Sequence, residues 1–248
     1  MKKRKLSVAV AAYNGEPFIK QQLESILQNL GPEDEVIVSD DGSTDRTRSV
    51  VEELKSADSR ISLINGPGKG IKQNIAEAIS HCSGDIIFLS DQDDVWSEEK
   101  TAVVIKAFDQ QNCSLVMHDA IVTGEDLKQT IMPSFFAYRR SVPGFAANFI
   151  KNRFMGCCMA FDAGLKPVIL PIPDCIQMHD QWIGLMNEMY GRGTYLVPDQ
   201  LLLYRRHGQN VSDFSHGNIF QMAIQRLILA IQILKRMLQL SYFFKKSK

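Results

Sequence analysis

Four short runs of β-branched and small apolar residues, Leu6–Ala12, Glu35–Ser39, Ile61–Ile64 and Asp85–Ser90, alternate with segments of helical apolar spacing. After the first run, Phe18, Ile19, Leu23, Ile26, Leu27 and Leu30 recur at that spacing, with Pro17 in a first-turn position and Gly31-Pro32 as the stop. The pattern predicts further helices from Asp45, as N-cap, through Leu54, over Ile71–His81, and from a Ser97 cap to about Gln110. Strands that follow one another through a helix and short polar turns pair in parallel, with both faces of the sheet covered. Ligands of such α/β sheets sit outside the carboxyl ends of the strands. Tyr13-Asn14, Asp40-Asp41, Lys69-Gly70 and Asp91-Gln92-Asp93 should therefore border one crevice. Beyond Cys113 the pattern is mixed, with strands at Leu115–Ala120 and Phe154–Phe161 and a helix over 178–190.

The stretch SDQDDVW, Ser90 to Trp96, crowds three acids at the end of the fourth strand. Asp91 and Asp93 can point the same way and share a hard cation, Mg²⁺ or Mn²⁺, whose shell is completed by phosphate oxygens and water. The alternative is a solvated turn. A second acidic turn, 40–45, stands at a neighbouring strand end, and an acidic crevice binds a phosphate only when a metal inverts the local field. Asp40 or Asp41 suits the N–H edge of a base or a ribose hydroxyl; an Asx-turn is the alternative.

Of 28 basic and 28 acidic residues, four basic ones lie in residues 1–5, and six, with no acid, in residues 216–248, so the body between sums to minus ten. That balance argues against nucleic-acid binding, which needs a basic face on the folded domain. Five cysteines (82, 113, 157, 158, 175) without CxxC spacing read as buried free thiols of a reducing compartment.

AAYNGE, VSDDGSTD, the Lys69–Asn74 loop and LSDQDDVW, in that order, resemble an inverting glycosyltransferase of family 2 with the GT-A fold. The likeness runs from Leu6 to about Asn210, and MHDQW (178–182) and LYRRHGQNVS (203–212) are similar to bacterial rhamnosyltransferase-like members. The resemblance implies a mostly parallel sheet flanked by helices. It implies that Ala12, Tyr13, Asn14, Asp41, Lys72, Asn74 and Asp91 bind the nucleotide. Asp91 and Asp93 would hold the metal, Asp93 more directly, with His207 as a further ligand or a contact to the diphosphate, a structural role being the alternative. LYRRHG stands where processive members carry QxxRW, which argues for transfer of single sugars.

Inverting transfer needs a carboxylate base, which the family places at the start of a late helix; Asp180 in HDQW matches that place. A helix N-cap is the alternative for Asp180, and Asp119 is the runner-up base. His179 and Trp182 are expected near the acceptor, with a core role open for Trp182. At most one of the adjacent Arg205 and Arg206 should reach the site.

From Ile219 to Phe244, Gln221, Gln225, Arg226, Gln232, Lys235, Arg236 and Gln239 form a narrow polar stripe on an otherwise apolar helix. An interfacial helix whose basic residues snorkel to lipid phosphates is expected; packing on the catalytic domain or on a twin chain, a homodimer, is the alternative. The expectation is thus a GT-A domain over 1–215 and a helical tail over 216–248, cytoplasmic and peripheral on the inner membrane face. It would carry a sugar, dTDP-rhamnose being the favoured donor by resemblance, to a glycan or lipid-linked saccharide. A nucleotidyltransferase and a non-catalytic binding subunit are the rivals.

Overall fold

The structure, a computed structural model, describes residues 4–208, 210 and 219–246. Residues 1–3 of the basic start, Gln209, the 211–218 stretch with the expected 215/216 boundary, and the last two residues lie outside the described residues. The elements run β1 (Leu6–Ala12), α1 (Ile19–Leu27), β2 (Glu35–Asp40), α2 (Thr47–Ala57), β3 (Ile61–Asn65), α3 (Ile71–His81), β4 (Ile86–Asp91), β5 (Val95–Trp96) and α4 (Lys100–Gln110). They continue β6 (Leu115–Thr123), β7 (Thr130–Met132), α5 (Phe135–Arg139), α6 (Phe145–Ile150), β8 (Met159–Asp162), α7 (Lys166–Ile169), α8 (His179–Tyr190), β9 (Thr194–Arg205) and α9 (Ile219–Lys246).

One sheet takes the order β3-β2-β1-β4-β8-β6-β9-β5, with β7 beside β6. β1, β2, β3 and β4 pair in parallel, as the alternation requires, while β8 joins β4 and β6 antiparallel. The order reverses at β1, whose neighbours are β2 on one side and β4 on the other, so a crevice opens at their carboxyl ends. Val8, Val10, Val36, Val38, Ile87 and Phe88 are wholly buried, as helices on both faces demand.

Three expectations need correction. Ser97 precedes the helix rather than capping it: its carbonyl accepts from Lys100 N at 3.2 Å, closing a turn before α4. Of the strand expected over 154–161 only Met159–Phe161 join the sheet, within β8, because Gly156–Cys158 coil into a 3₁₀ turn against β4. Cys175 is exposed, whereas the other four thiols are buried. β9 is legible in the sequence only at its end, where Arg205 and Arg206 read as strand positions, because Pro198 and Asp199 interrupt its apolar run. The strand absorbs them as an irregularity between Val197, opposite His118, and Gln200, opposite Asp119.

No helix among the described residues is long and apolar enough to cross a membrane. α9 packs on the domain through Leu229, Ile233, Arg236 and Leu240, one face of the helix at spacings of four, three and four. Arg236 does not snorkel: it is 5% exposed and turned inward. Arg226 donates to the carbonyl of Ile150 at 3.0 Å, so of the basic residues whose side chains are described on α9, Lys235 alone faces outward with Leu227, Leu234 and Leu238.

Asn74, 1% exposed, donates from Nδ2 to the carbonyls of Ala12 (3.1 Å) and Ser39 (2.9 Å), tying the ends of β1 and β2 to α3. Asn74→Ala removes two buried side-chain hydrogen bonds, leaving the Ala12 carbonyl with Asp41 N alone, and urea unfolding should record a loss of about 1–3 kcal/mol.

Candidate active site

A cleft of about 990 Å³ lies outside the carboxyl ends of β1, β2 and β4 and is walled on the far side by the start of α8. Ala12, Tyr13, Asn14, Asp41, Lys69, Lys72, Asn74, Asp91, Asp93, His179, Asp180 and His207 all line it. Trp182, Asp119, Arg205 and Arg206 do not.

Backbone turns at the strand ends are held by side chains of their neighbours. The Gln92 amide accepts from Tyr13 N (2.8 Å) and donates to Tyr13 O (2.9 Å), stapling the end of β1 to the end of β4. Asn14, at φ 48°, sits between Ser43 and Thr44 of the acidic turn. Of the two acids at the end of β2, Asp40 is buried against Ser43 and Arg48, while Asp41 faces the cleft. Each Asp41 oxygen takes one backbone N–H at 2.7 Å, from Gly68 and Gly70. Both glycines have positive φ, which lets the loop aim its amides at the carboxylate. Asp41 can therefore accept from a ligand only through its remaining lone pairs. Lys72 spends two of its donors on the carbonyls of Asp174 and Ile176, each at 2.6 Å.

The acidic cluster is divided. Asp93 Oδ2 lies 2.8 Å from His207 Nε2, with Asn210 Nδ2 at 3.3 Å, and the His207 ring packs 4.5 Å from that of Phe18. Asp91, Asp94 and Cys157 bring ligand-capable atoms within 4.8 Å of one another. Asp94 is fully buried; Oδ1 accepts from Arg205 N at 3.1 Å, and Oδ2 finds no hydrogen-bond partner among the described residues. Burial, then the charges of Asp93 and Asp180, push Asp91 up to about 7. Burial and the charges of Asp93 and Asp91 hold Asp94 well above the carboxylate range. Oxygen donors crowded beyond what they tolerate as anions, with an imidazole at their edge, form a donor set that fits a hard divalent cation. Asp91, Asp93 and His207 are the cleft-lining members able to hold it.

Asp180 stands in the first turn of α8 at the opposite wall. It is 5% exposed, and its Oδ1 accepts from Asn152 Nδ2 (2.9 Å) and its neighbour Gln181 N (2.6 Å). Burial raises its pKa, against the countering influence of His179 and these bonds. His179 is buried too, and burial lowers its pKa. Gly156 lies beneath it, where an added Cβ would meet His179 Nε2 at 2.7 Å.

Trp182 is a core residue. It is wholly buried and donates to the carbonyl of Ile169 at 2.8 Å, so it cannot stack on an acceptor. Asp119 is engaged by Ser134 Oγ (2.6 Å) and Phe136 N (2.8 Å), which anchors α5 and removes it as a base. Arg205 threads between Asp93 O, Glu125 O and Gln21 rather than facing the cleft. Asn152, Phe135, Arg139 and Phe154 line the cleft without having been anticipated, since they come from irregular chain or short helices with no motif of their own.

Residues 7–170, more than half of the chain, match the sequence family Glycosyl transferase family 2. The chain is 34% identical over 113 residues to the dTDP-rhamnosyl transferase RfbG of Shigella flexneri, spanning 42% of this chain and 39% of RfbG. It is 28% identical over 155 residues to WfgD of Escherichia coli, a UDP-Glc:α-D-GlcNAc-diphosphoundecaprenol β-1,3-glucosyltransferase, covering 61% of this chain and 57% of WfgD. It thus spans less than two thirds of either relative. TarS of S. aureus in complex with UDP-GlcNAc superposes with a TM-score of 0.73 at 17% identity, over 93% of this chain and 66% of that one. The mannosyltransferase PcManGT of Pyrobaculum calidifontis, in complex with GDP-Man and Mn²⁺, gives 0.67 at 19%, over 94% and 65%. At these identities the two structures establish the GT-A arrangement of the sheet.

The Trp182 environment yields a stability expectation. Trp182→Ala should lower the unfolding free energy by about 3–5 kcal/mol in a denaturant titration, as for a large core residue.

Proposed function

The chain belongs to glycosyl transferase family 2, and on that premise we propose that it transfers single sugars with inversion from a nucleoside diphosphate donor to a saccharide hydroxyl. The observation that carries this reading is a buried carboxylate of raised pKa, Asp180, in the same cleft as Asp91, Asp93 and His207. The acceptor oxygen attacks the anomeric carbon and its proton passes to Asp180. The bond from that carbon to the diphosphate oxygen breaks, and both its electrons leave with the nucleoside diphosphate. Asn152 and the Gln181 amide orient the Asp180 carboxylate. A divalent cation, Mg²⁺ or Mn²⁺, held by Asp91, Asp93 and His207 would neutralise the charge gathering on that leaving group. The turn at Tyr13-Asn14 and the Asp41 shelf suit the nucleoside.

Similarity to RfbG supports dTDP-rhamnose as donor, and similarity to WfgD supports a lipid-linked saccharide as acceptor in surface-polysaccharide synthesis. The outward face of α9, with Leu227, Leu234, Leu238 and Lys235, supports attachment to the inner face of an anionic membrane. Co-sedimentation with anionic but not neutral phospholipid vesicles is the expected result, and indifference to both would dismiss the attachment.

Calorimetric titration with dTDP, UDP and GDP, with Mn²⁺ or Mg²⁺ and then with chelator, tests the donor reading. Metal-dependent binding that favours one base is expected, and Asp93→Asn should weaken it. Absence of binding under every condition would defeat the proposal. Asp180→Asn should remove transfer, by about 10²–10⁴-fold, and leave nucleotide affinity nearly unchanged. Because burial raises the pKa of Asp180 and the base acts deprotonated, kcat/KM should fall as the pH drops through a value above the ordinary carboxylate range.

A further inference from the structure

Between α7 and α8 the chain runs from Leu170 to Met178 without regular structure, and it delivers Asp180 to the cleft. Carbonyls of an irregular segment must find donors outside it. Here four side chains supply donors to this segment and to the last turn of α7. Arg236 of α9 donates to the carbonyls of Val168, Leu170 and Pro171, the bond to Leu170 measuring 2.9 Å. Trp182 takes Ile169 at 2.8 Å, and Gln73 of α3 takes Ile172 at 2.8 Å. Lys72 takes Asp174 and Ile176, both at 2.6 Å. Among the described residues, neither Arg236 nor Lys72 forms a salt bridge with a carboxylate. Each cation is spent on peptide oxygens. Arg236 also lies 5.2 Å over the Trp182 ring, two positions beyond Asp180 on α8.

We propose that residues 168–178 form a strap that sets the place of Asp180, and that Arg236 from the tail helix and Lys72 from α3 are its positioning residues. The claim rests on the reading of Asp180 as the base. It makes the tail a working part of the catalytic domain rather than an appendage, and it gives Lys72 a task other than binding the nucleotide. The strap is pulled from both sides. α3, which starts beside the Gly68–Gly70 loop and Asp41, grips its second half, and α9 grips its first. A guanidinium fork suits three carbonyls; an ammonium at the same place reaches fewer of them.

The test uses the full chain with Arg236→Ala, Arg236→Lys and Lys72→Met. Binding of dTDP and consumption of dTDP-rhamnose are followed, or of the nucleotide and sugar nucleotide whose base binds in the calorimetric panel. Displacing the base by about 1 Å is expected to lower turnover about 10- to 100-fold in all three variants. Nucleotide Kd should stay within about twofold. A Lys72→Met variant that loses nucleotide affinity in step with turnover would return Lys72 to nucleotide binding and overturn its half of the proposal. Turnover within about twofold of the wild type in both Arg236 variants would overturn the other half. In an Asp180→Glu background Arg236→Ala should add little, because both changes act on one carboxylate; additive losses would overturn the coupling. Should Asp180→Asn retain turnover, the base reading fails first. The strap is then judged by amide hydrogen exchange: faster exchange over 170–183 in Arg236→Ala, with β1 and β2 unchanged, keeps it, and no difference removes it.

Discussion

The hydrogen-bonded ladder that joins β1 to β2 on one side and to β4 on the other governs the rest of the molecule. It sets Ala12 opposite Asp40 and Ala11 opposite Asp91, so three carboxyl ends finish at one edge. Parallel pairing puts every following turn on that edge, and three strand-end turns bind one another through side chains: Gln92 to Tyr13, Asn14 to the 43–44 turn, and Asn74 to both strand ends. The cleft is shaped by this ladder before any chemistry is considered.

Electrostatic tension is concentrated where the ladder ends. Asp91, Asp93 and Asp94 share a region of low dielectric, and the nearby cations each have an engagement that leaves the anions incompletely matched. Arg205 spreads its guanidinium over the carbonyls of Asp93 and Glu125 and the amide of Gln21. Lys100 is wholly buried, with its ammonium 3.8 Å over the Trp96 ring and bonded to the carbonyl of Cys157, and burial lowers its pKa to about 8. Burial raises Asp91 and Asp94 and lowers the lysine behind them, so a charge brought in from the cleft side is felt strongly there.

The far wall is built by different means. No strand carries Asp180; it stands in the first turn of α8, and the irregular segment leading into that helix takes its order from long side chains that reach its carbonyls from α3 and α9. Rigidity of this kind depends on residues more than a hundred positions away in the case of Lys72, which no local pattern announces. α8 is buried on every side over 179–187, so it has no polar stripe to say which way Trp182 or Asp180 points.

The first half of the molecule was legible because its signals are local. Alternating periods two and 3.6, Gly and Asp at the turns, and acids after a run such as IIFLS name strands, helices and the cleft edge from neighbours alone. Those signals put Asp41, Asp91 and Asp93 at one crevice, and the family resemblance, not periodicity, added Asp180 and His207, which line it too. Orientation and engagement were not legible, since they depend on contacts between distant segments. Trp182 turned into the core, Lys72 was taken by the strap, Asp119 by α5, and Arg236 left the lipid-facing stripe for three carbonyls. Composition and spacing could name the residue types able to do chemistry. Which of them keep a lone pair or a donor for a ligand was settled by packing, because a buried peptide group claims the nearest partner whatever motif that partner belongs to.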